Sequence, residues 1–298
     1  MKNGEAEAWL RNQLESMYDP GESAAIAALA LEHVTGLRRG EWLLRREEPL
    51  SGEEEQALRD TAARLLRQEP IQYISGRSFF YGLELYVNPS VLIPRPETEE
   101  LVDWIVKDLL ELGLPVFDKK ETEADATALL KILDVGTGSG CIALALKSKM
   151  PRAEVWGCDV SDEALNVARR NGSDNNIRVD FQGVDFLDEA QQRLLPSVDV
   201  LVSNPPYIPL KDKTSMHSNV VEWEPHTALF VPDNDALLFY RAIARFAPRR
   251  LHAGGRIYLE IHEDLGNAVV QLFREAGYES VELRKDMQGK DRMVRVIR

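Results

Sequence analysis

Apolar positions along the chain change their period twice. Over the first seventy residues they recur at helical spacing. Trp9, Leu10, Leu14 and Met17 mark one face, and residues 23–34 form an alanine- and leucine-rich stretch bracketed by Gly21 and Gly36. Ser51 and Glu54 have the spacing of a capping box, and Leu58, Ala62, Leu65 and Leu66 then form a face that ends at Pro70. This pattern predicts a small helical-bundle domain over residues 1–70. From Ile71 the period shortens to two. Tyr73, Phe79, Phe80 and Tyr81 are β-formers, and Leu83, Leu85 and Val87 alternate with Glu84 and Tyr86, punctuated by Gly76, Gly82 and Asn88-Pro89. A β-hairpin linker is expected over residues 71–95.

The third regime is an alternation of strand-length and helix-length runs, predicting a catalytic domain over residues 96–298. Pro96 suits the first turn of a helix carrying Leu101, Trp104, Ile105, Leu109 and Leu112, and a charged, irregular, exposed connection is expected at 113–127. Strands are expected at 129–134, 154–159, 177–181, 198–203 and 255–261, with helices such as 141–149 and 162–170 between them. Such alternation predicts an α/β fold: a doubly wound, mostly parallel sheet with ligands at the carboxyl ends of its strands. Two last runs, 280–284 and 292–297, have no helix between them and predict an antiparallel edge.

Composition narrows the class. With 298 residues, 44% hydrophobic and 29% charged, the chain has enough apolar surface for a core and a length that suits two domains. Its longest apolar runs, such as 24–31, fall short of the roughly 20 residues that span a bilayer. The first ten residues carry Glu5 and Glu7 without an apolar core, so neither a secretory leader nor a membrane association is expected. Cys141 and Cys158 are too few for a disulfide framework, and a reducing, cytoplasmic location is expected. The five histidines show no metal-ligand spacing with the cysteines, so no metal is expected, and Cys141 reads as a small buried residue. Formal net charge is −13, carried unevenly: residues 1–70 hold 9 basic and 14 acidic side chains, and residues 71–125 hold 5 and 11. Phosphate binding leaves a basic footprint, so a nucleic-acid partner is not expected. A monomer is expected.

Chemistry concentrates in two segments. In the first, Asp134-Val135-Gly136-Thr137-Gly138-Ser139-Gly140 follows one predicted strand and opens one predicted helix. Its glycines permit a sharp turn and close approach of a ligand to the backbone. A dinucleotide fingerprint would require a third glycine at position 141, which is Cys141, so the spacing fits another nucleoside ligand. Asp159 ends the next strand, where a carboxylate can accept both hydroxyl hydrogens of a ribose; the competing reading makes it a helix cap, shared with Ser161. Asp185 and Phe186 follow the third strand, where an acid can meet an adenine amino group and a ring can cover the base, or both can be ordinary loop residues.

The second segment is Ser203-Asn204-Pro205-Pro206-Tyr207, in which a buried strand delivers Asn204 to the sheet edge and two prolines end the ladder. Asn204 offers an acceptor and a donor, and Tyr207 a flat face, a set that suits a planar substrate bearing an NH₂ group. An amide or exocyclic amine nitrogen is a poor nucleophile because its lone pair is delocalised. Acceptors from Asn204 and the Pro205 carbonyl would orient it toward an electrophilic methyl group and bind more tightly as positive charge develops. No general base is required.

With these residues in order, the sequence resembles class I S-adenosylmethionine-dependent methyltransferases, which are Rossmann-like. More narrowly, Pro70-Ile71-Gln72-Tyr73-Ile74, the segment from Val91 through Ile93-Pro94-Arg95-Pro96-Glu97-Thr98-Glu99, Glu224-Pro225, and Lys285-Asp286 with Asp291-Arg292 resemble the bacterial peptide chain release factor glutamine methyltransferases. The resemblance implies transfer of a methyl group from S-adenosyl-L-methionine to the amide nitrogen of the glutamine in a Gly-Gly-Gln loop of a release factor. It implies that Gly136, Thr137, Gly138, Ser139, Gly140, Asp159, Asp185, Phe186 and Asn204 contact the cofactor. Asn204, Pro205, Pro206 and Tyr207 would hold the glutamine, with Asn204, Pro205 and Tyr207 as the catalytic set. Two departures from the family pattern stand out: Glu260-Ile261 is followed by His262-Glu263-Asp264 instead of a glycine and a glutamine, and Val184 precedes Asp185 where glycine is usual. The rival readings are an amino methyltransferase of DNA or RNA, disfavoured by the charge, and a cofactor-binding module without activity, disfavoured by the presence of both Asn204 and Tyr207.

Overall fold

The computed structural model describes residues 1–113 and 129–298; the expected exposed connection at 113–127 lies, apart from Gly113, outside the described residues. Two compact units form, Met1–Arg77 with His217–Trp223, and Ser78–Met216 with Glu224–Arg298.

The first unit is helical: α1 (Asn3–Leu14), α2 (Pro20–Thr35), α3 (Arg39–Leu44), α4 (Gly52–Leu65) and α5 (Ile71–Ser75). Helix α2 starts where the Asp19 carboxylate accepts the N–H groups of Gly21 and Glu22 at 2.8 and 3.0 Å, with Pro20 in its first turn, and stops at Gly36 in the left-handed region. Helix α4 has the expected capping box: Ser51 Oγ accepts from Glu54 N, and Glu54 Oε2 from Ser51 N. Leu10, Leu14, Leu31, Leu58 and Leu65 are fully buried together. The period-two reading does not hold at its start. Ile71–Ser75 is a helical turn, closed at Gly76 with φ 67°, because Ile71 and Ile74 bury against the helical core, and that packing outweighs their strand preference.

The boundary at Arg77/Ser78 falls at the start of a hairpin of strands β1 (Arg77–Phe80) and β2 (Leu83–Tyr86), joined by Tyr81-Gly82, both at positive φ as a tight primed turn requires. The elements that follow are α6 (Pro96–Glu111), β3 (Lys131–Val135), α7 (Cys141–Lys149), β4 (Glu154–Asp159), α8 (Asp162–Asp174), β5 (Asp180–Gly183) and β6 (Val198–Ser203). After these come β7 (Ile208–Pro209), α9 (Ser218–Trp223, part of the first unit), α10 (His226–Leu229), β8 (Phe230–Val231), α11 (Leu238–Arg250), β9 (Leu251–Glu260), α12 (Gly266–Glu275), β10 (Ser280–Lys285) and β11 (Asp291–Ile297).

Seven strands form one sheet in the order β10-β11-β9-β6-β3-β4-β5. Pairings from β9 to β5 are parallel, and β11 is antiparallel to both its neighbours, as the alternation predicts. Side chains alternate across it: Ile132, Val200 and Val202 face the core under α6, α7 and α8, while Leu133, Leu201 and Leu259 face that under α11 and α12. Strand β5 starts three residues later than expected. Asn176 takes a positive φ and Ile177 N–H donates to the Gly172 carbonyl at 2.8 Å, so Ile177 still closes α8. Among the described residues no helix is long and apolar enough to cross a membrane.

Candidate active site

Sheet register assembles the site. Val135 lies opposite Cys158 on one side and Ser203 on the other, and Ser203 lies opposite Leu259. One residue beyond this row stand Gly136, Asp159, Asn204 and Glu260, at the carboxyl ends of four adjacent parallel strands. That is where an α/β sheet presents ligands.

The loop after β3 folds back over β4. Gly136 N and Thr137 N both donate to the Cys158 carbonyl at 2.9 Å, and Gly138 N donates to Asp159 Oδ2 at 2.9 Å. Gly136 and Gly138 have positive φ, and a Cβ on either would meet open space, so both leave backbone bare toward the cavity. Gly140 serves packing instead: a Cβ there would lie 3.1 Å from Ala168 and Phe181. Beneath the loop the Thr137 hydroxyl donates to Asp134 at 2.6 Å; burial pushes that carboxyl up to about 7. Buried Asn171 ties the loop to the hairpin, donating to the carbonyls of Ser139 at 2.9 Å and Tyr86 at 3.0 Å while accepting from Tyr86 N at 2.7 Å.

Asp159 has one backbone N–H on each oxygen, Gly138 on Oδ2 and Ser161 on Oδ1, which leaves a lone pair on each for a ligand. Burial raises its pKa against the backbone N–H groups of Ser161, Gly138 and Val160. The helix-capping job of the competing reading falls to Ser161, whose Oγ accepts from Ala164 N. Asp185 accepts from Leu187 N at 2.9 Å, and the Phe186 ring packs on Phe246 with centroids 5.1 Å apart.

A cavity of about 480 Å³ runs past these groups. Its wall brings together Gly136 through Ser139, Asp159, Asp185, Phe186, Asn204, Pro205 and Pro206, joined by Thr98, Arg95 and residues of α10, β8 and α11. Gly140 and Tyr207 are not on it. The Tyr207 ring packs against the core under α11 and α12 and lies edge-on to His262, with centroids 5.9 Å apart. Cys141 does reach the wall, but burial pushes its thiol up to about 12, so it is no thiolate.

Two residues at the site escaped the sequence reading as chemistry. Asn204 Nδ2 donates to Thr98 Oγ1 at 3.1 Å, and Thr98 Oγ1 donates to Glu260 Oε2 at 2.6 Å. Glu260 is buried, its carboxyl pushed up to about 7 by desolvation against the Thr98 bond and Arg292. A signal was present: Glu260 is a charged residue ending an apolar strand, as Asp159 and Asn204 are polar ones. Arg95 on the wall is held from behind: the buried Glu224 carboxylate accepts from the Arg95 guanidinium and from Ile93 N, which binds the residues before α10 to the segment leading into α6.

Comparison with known proteins gives the family. Residues 5–76 match the family described as PrmC N-terminal domain, and residues 120–223 match the Methyltransferase small domain. A release factor glutamine methyltransferase of Flavobacterium psychrophilum is 41% identical over 283 residues, covering 95% of this chain and 94% of the relative. One of Bacteroides thetaiotaomicron is 39% identical over 287 residues, covering 96% and 97%. Among solved structures, a T. Thermophilus 16S rRNA methyltransferase in complex with AdoMet and guanosine superposes with TM-score 0.50 at 17% identity, covering 74% of this chain and 49% of that one, and shows the fold alone. The chain belongs to the release factor glutamine methyltransferase family.

Proposed function

We propose that the protein transfers a methyl group from S-adenosyl-L-methionine to the side-chain amide nitrogen of the glutamine in the Gly-Gly-Gln motif of peptide chain release factors. Placement of Asn204 on one cavity wall with the glycine loop carries the reading, together with membership of the family. Residues present fit the donor. Bare backbone at Gly136 and Gly138 accommodates close approach, the free lone pairs of Asp159 suit two ribose hydroxyls, and Phe186 with Asp185 suit an adenine. When bound, the donor supplies an electrophilic methyl group on sulfonium sulfur.

The chain's own residues do the rest. Asn204 Nδ2 is taken up by Thr98, so Asn204 Oδ1 is the end available to accept one N–H of the glutamine amide, and the Pro205 carbonyl accepts the other. These acceptors turn the nitrogen lone pair toward the methyl group. They bind more strongly as the nitrogen pyramidalises and gains positive charge, which is where catalysis arises. The charged product then loses its proton to water. Pro206 stiffens the turn, and Tyr207 supports it from beneath against His262. The helical domain of residues 1–70 is assigned to substrate recognition, with the enzyme a monomer that takes protein and not nucleic acid.

Incubating labelled S-adenosyl-L-methionine separately with release factor, ribosomal RNA and DNA tests this directly. Label is expected on release factor alone; label only on nucleic acid overturns it. Asn204→Ala is expected to keep donor binding but to lower turnover at least about a hundredfold, since a lost transition-state contact is worth roughly 2.7–4 kcal/mol. Unchanged turnover would remove Asn204 from the mechanism.

A further inference from the structure

The two ends of an asparagine amide have nearly the same shape and opposite hydrogen-bonding character. Which end of Asn204 faces the cavity is therefore decided by what holds the other end. Thr98 holds it, with the Glu260 carboxylate also within hydrogen-bonding reach of Asn204, and a hydroxyl has one proton to give. Against an ionised Glu260, which only accepts, that proton is committed to the carboxylate at 2.6 Å, and Thr98 Oγ1 is left to accept from Asn204 Nδ2 at 3.1 Å. The accepting end of Asn204 then faces the cavity. A proton added to Glu260 lets the relay run backwards. The carboxylic acid donates to Thr98, Thr98 donates to Asn204 Oδ1, and the amide presents its NH₂ to a substrate NH₂.

We infer that Glu260, acting through Thr98, is the positioning residue that selects the accepting orientation of Asn204, and that protonation of Glu260 switches the site off. The inference rests on the amide substrate proposed for Asn204. Among the described residues, five titratable groups face Glu260. Arg292 from β11 favours its ionised form and Glu97 from the first turn of α6 opposes it. Tyr207 beyond β6, Tyr240 from α11 and Cys141 from α7 are all held neutral by burial. Tyr240 also donates to the Glu260 backbone carbonyl at 3.1 Å, fixing the end of β9. Burial outweighs Arg292 and places the Glu260 proton near pH 7, so the accepting orientation is populated above that pH and lost below it.

Two readouts test the relay. In protein carrying ¹⁵N-labelled asparagine, the Asn204 side-chain amide signal, identified by its loss in Asn204→Ala, is expected to titrate with a midpoint near pH 7 and to stop titrating in Glu260→Gln. In turnover with release factor at saturating S-adenosyl-L-methionine, kcat is expected to fall through the same midpoint as pH is lowered, and Glu260→Gln is expected to remove that fall. Thr98→Val is expected to lower kcat on the order of a hundredfold, as small misplacements do, and to flatten the profile. Thr98→Ser, which keeps the hydroxyl, restores both. An Asn204 signal that is constant between pH 6 and 8, or that titrates equally in Glu260→Gln, overturns the relay. Absence of methyl transfer to release factor at every pH overturns the substrate reading instead, and the amide titration still decides the relay.

Discussion

In the proposed donor site Asp159 is the group that two ribose hydroxyls would complete. Each of its oxygens receives one backbone N–H, from Gly138 and Ser161, and burial raises its pKa, so the carboxylate is desolvated and only partly compensated. Hydrogen bonds to a charged group are worth about 1.5–3 kcal/mol each. Asp159→Ala is therefore expected to weaken calorimetric affinity for S-adenosyl-L-methionine by roughly tenfold to several hundredfold while kcat at saturating donor changes little. An affinity equal to wild type would leave Asp159 as a brace for the Gly138 turn and nothing more. Asp159 and Asn204 were legible in the sequence for one shared reason: each is a polar residue at the end of an apolar strand, next to glycine or proline chemistry. Thr98 and Glu260 carry the same kind of information but only as a pair, and they are 162 positions apart. No local pattern says that the first turn of α6 lies across the end of β9. Tyr207 shows the converse. Its place in the motif suggests a stacking face, yet its ring packs on the core and on His262, because the turn at Pro205-Pro206 carries the chain past the cavity wall.

At the scale of elements, the site depends on how tightly the loop after β3 seats on β4. Gly157 sits in β4 directly under that loop, and a Cβ there would lie 2.7 Å from Thr137 Oγ1 and 2.8 Å from Phe181. Thr137 is the residue that holds Asp134, so it cannot yield without disturbing the loop base. Gly157→Ala is expected to destabilise by about 1–3 kcal/mol, the usual cost of overpacking, and to weaken donor binding at the same time. Denaturant unfolding checks the first effect and calorimetry the second; a variant with wild-type values for both would mean that the loop seats loosely. Strand β4 and strand β6 have the bounds that their apolar runs predict, and so does α7, because each is a buried element ended by glycine, proline or a charged residue. Where the reading slipped, tertiary packing overrode local preference. Ile177 is a strand-former used to close α8, and Ile71 and Ile74 are strand-formers used in a helical turn.

For the whole molecule the uneven charge is the property that reaches furthest. The formal charge is −13, and residues 1–125 hold 25 of the 49 acidic side chains but only 14 of the 36 basic ones. Glu22 and Glu53, in the first turns of α2 and α4, are exposed, and among the described residues neither carboxylate has an ion pair. Charge of one sign on a recognition surface acts on encounter more than on chemistry, and it acts only as far as salt allows, about 10 Å at 0.1 M and about 3 Å at 1 M. Our proposal for the acidic region is that it meets basic surface on the release factor. Raising ionic strength from about 0.05 to about 0.5 M is then expected to raise KM for release factor and to leave kcat unchanged, because the cavity and its relay are buried and poorly screened. The double variant Glu22→Gln with Glu53→Gln is expected to raise KM at low salt and to reduce its dependence on salt, with donor affinity untouched. A KM for release factor that is flat across that range, in wild type and variant alike, would show that the acidic excess serves solubility and that recognition is made by shape and apolar contact.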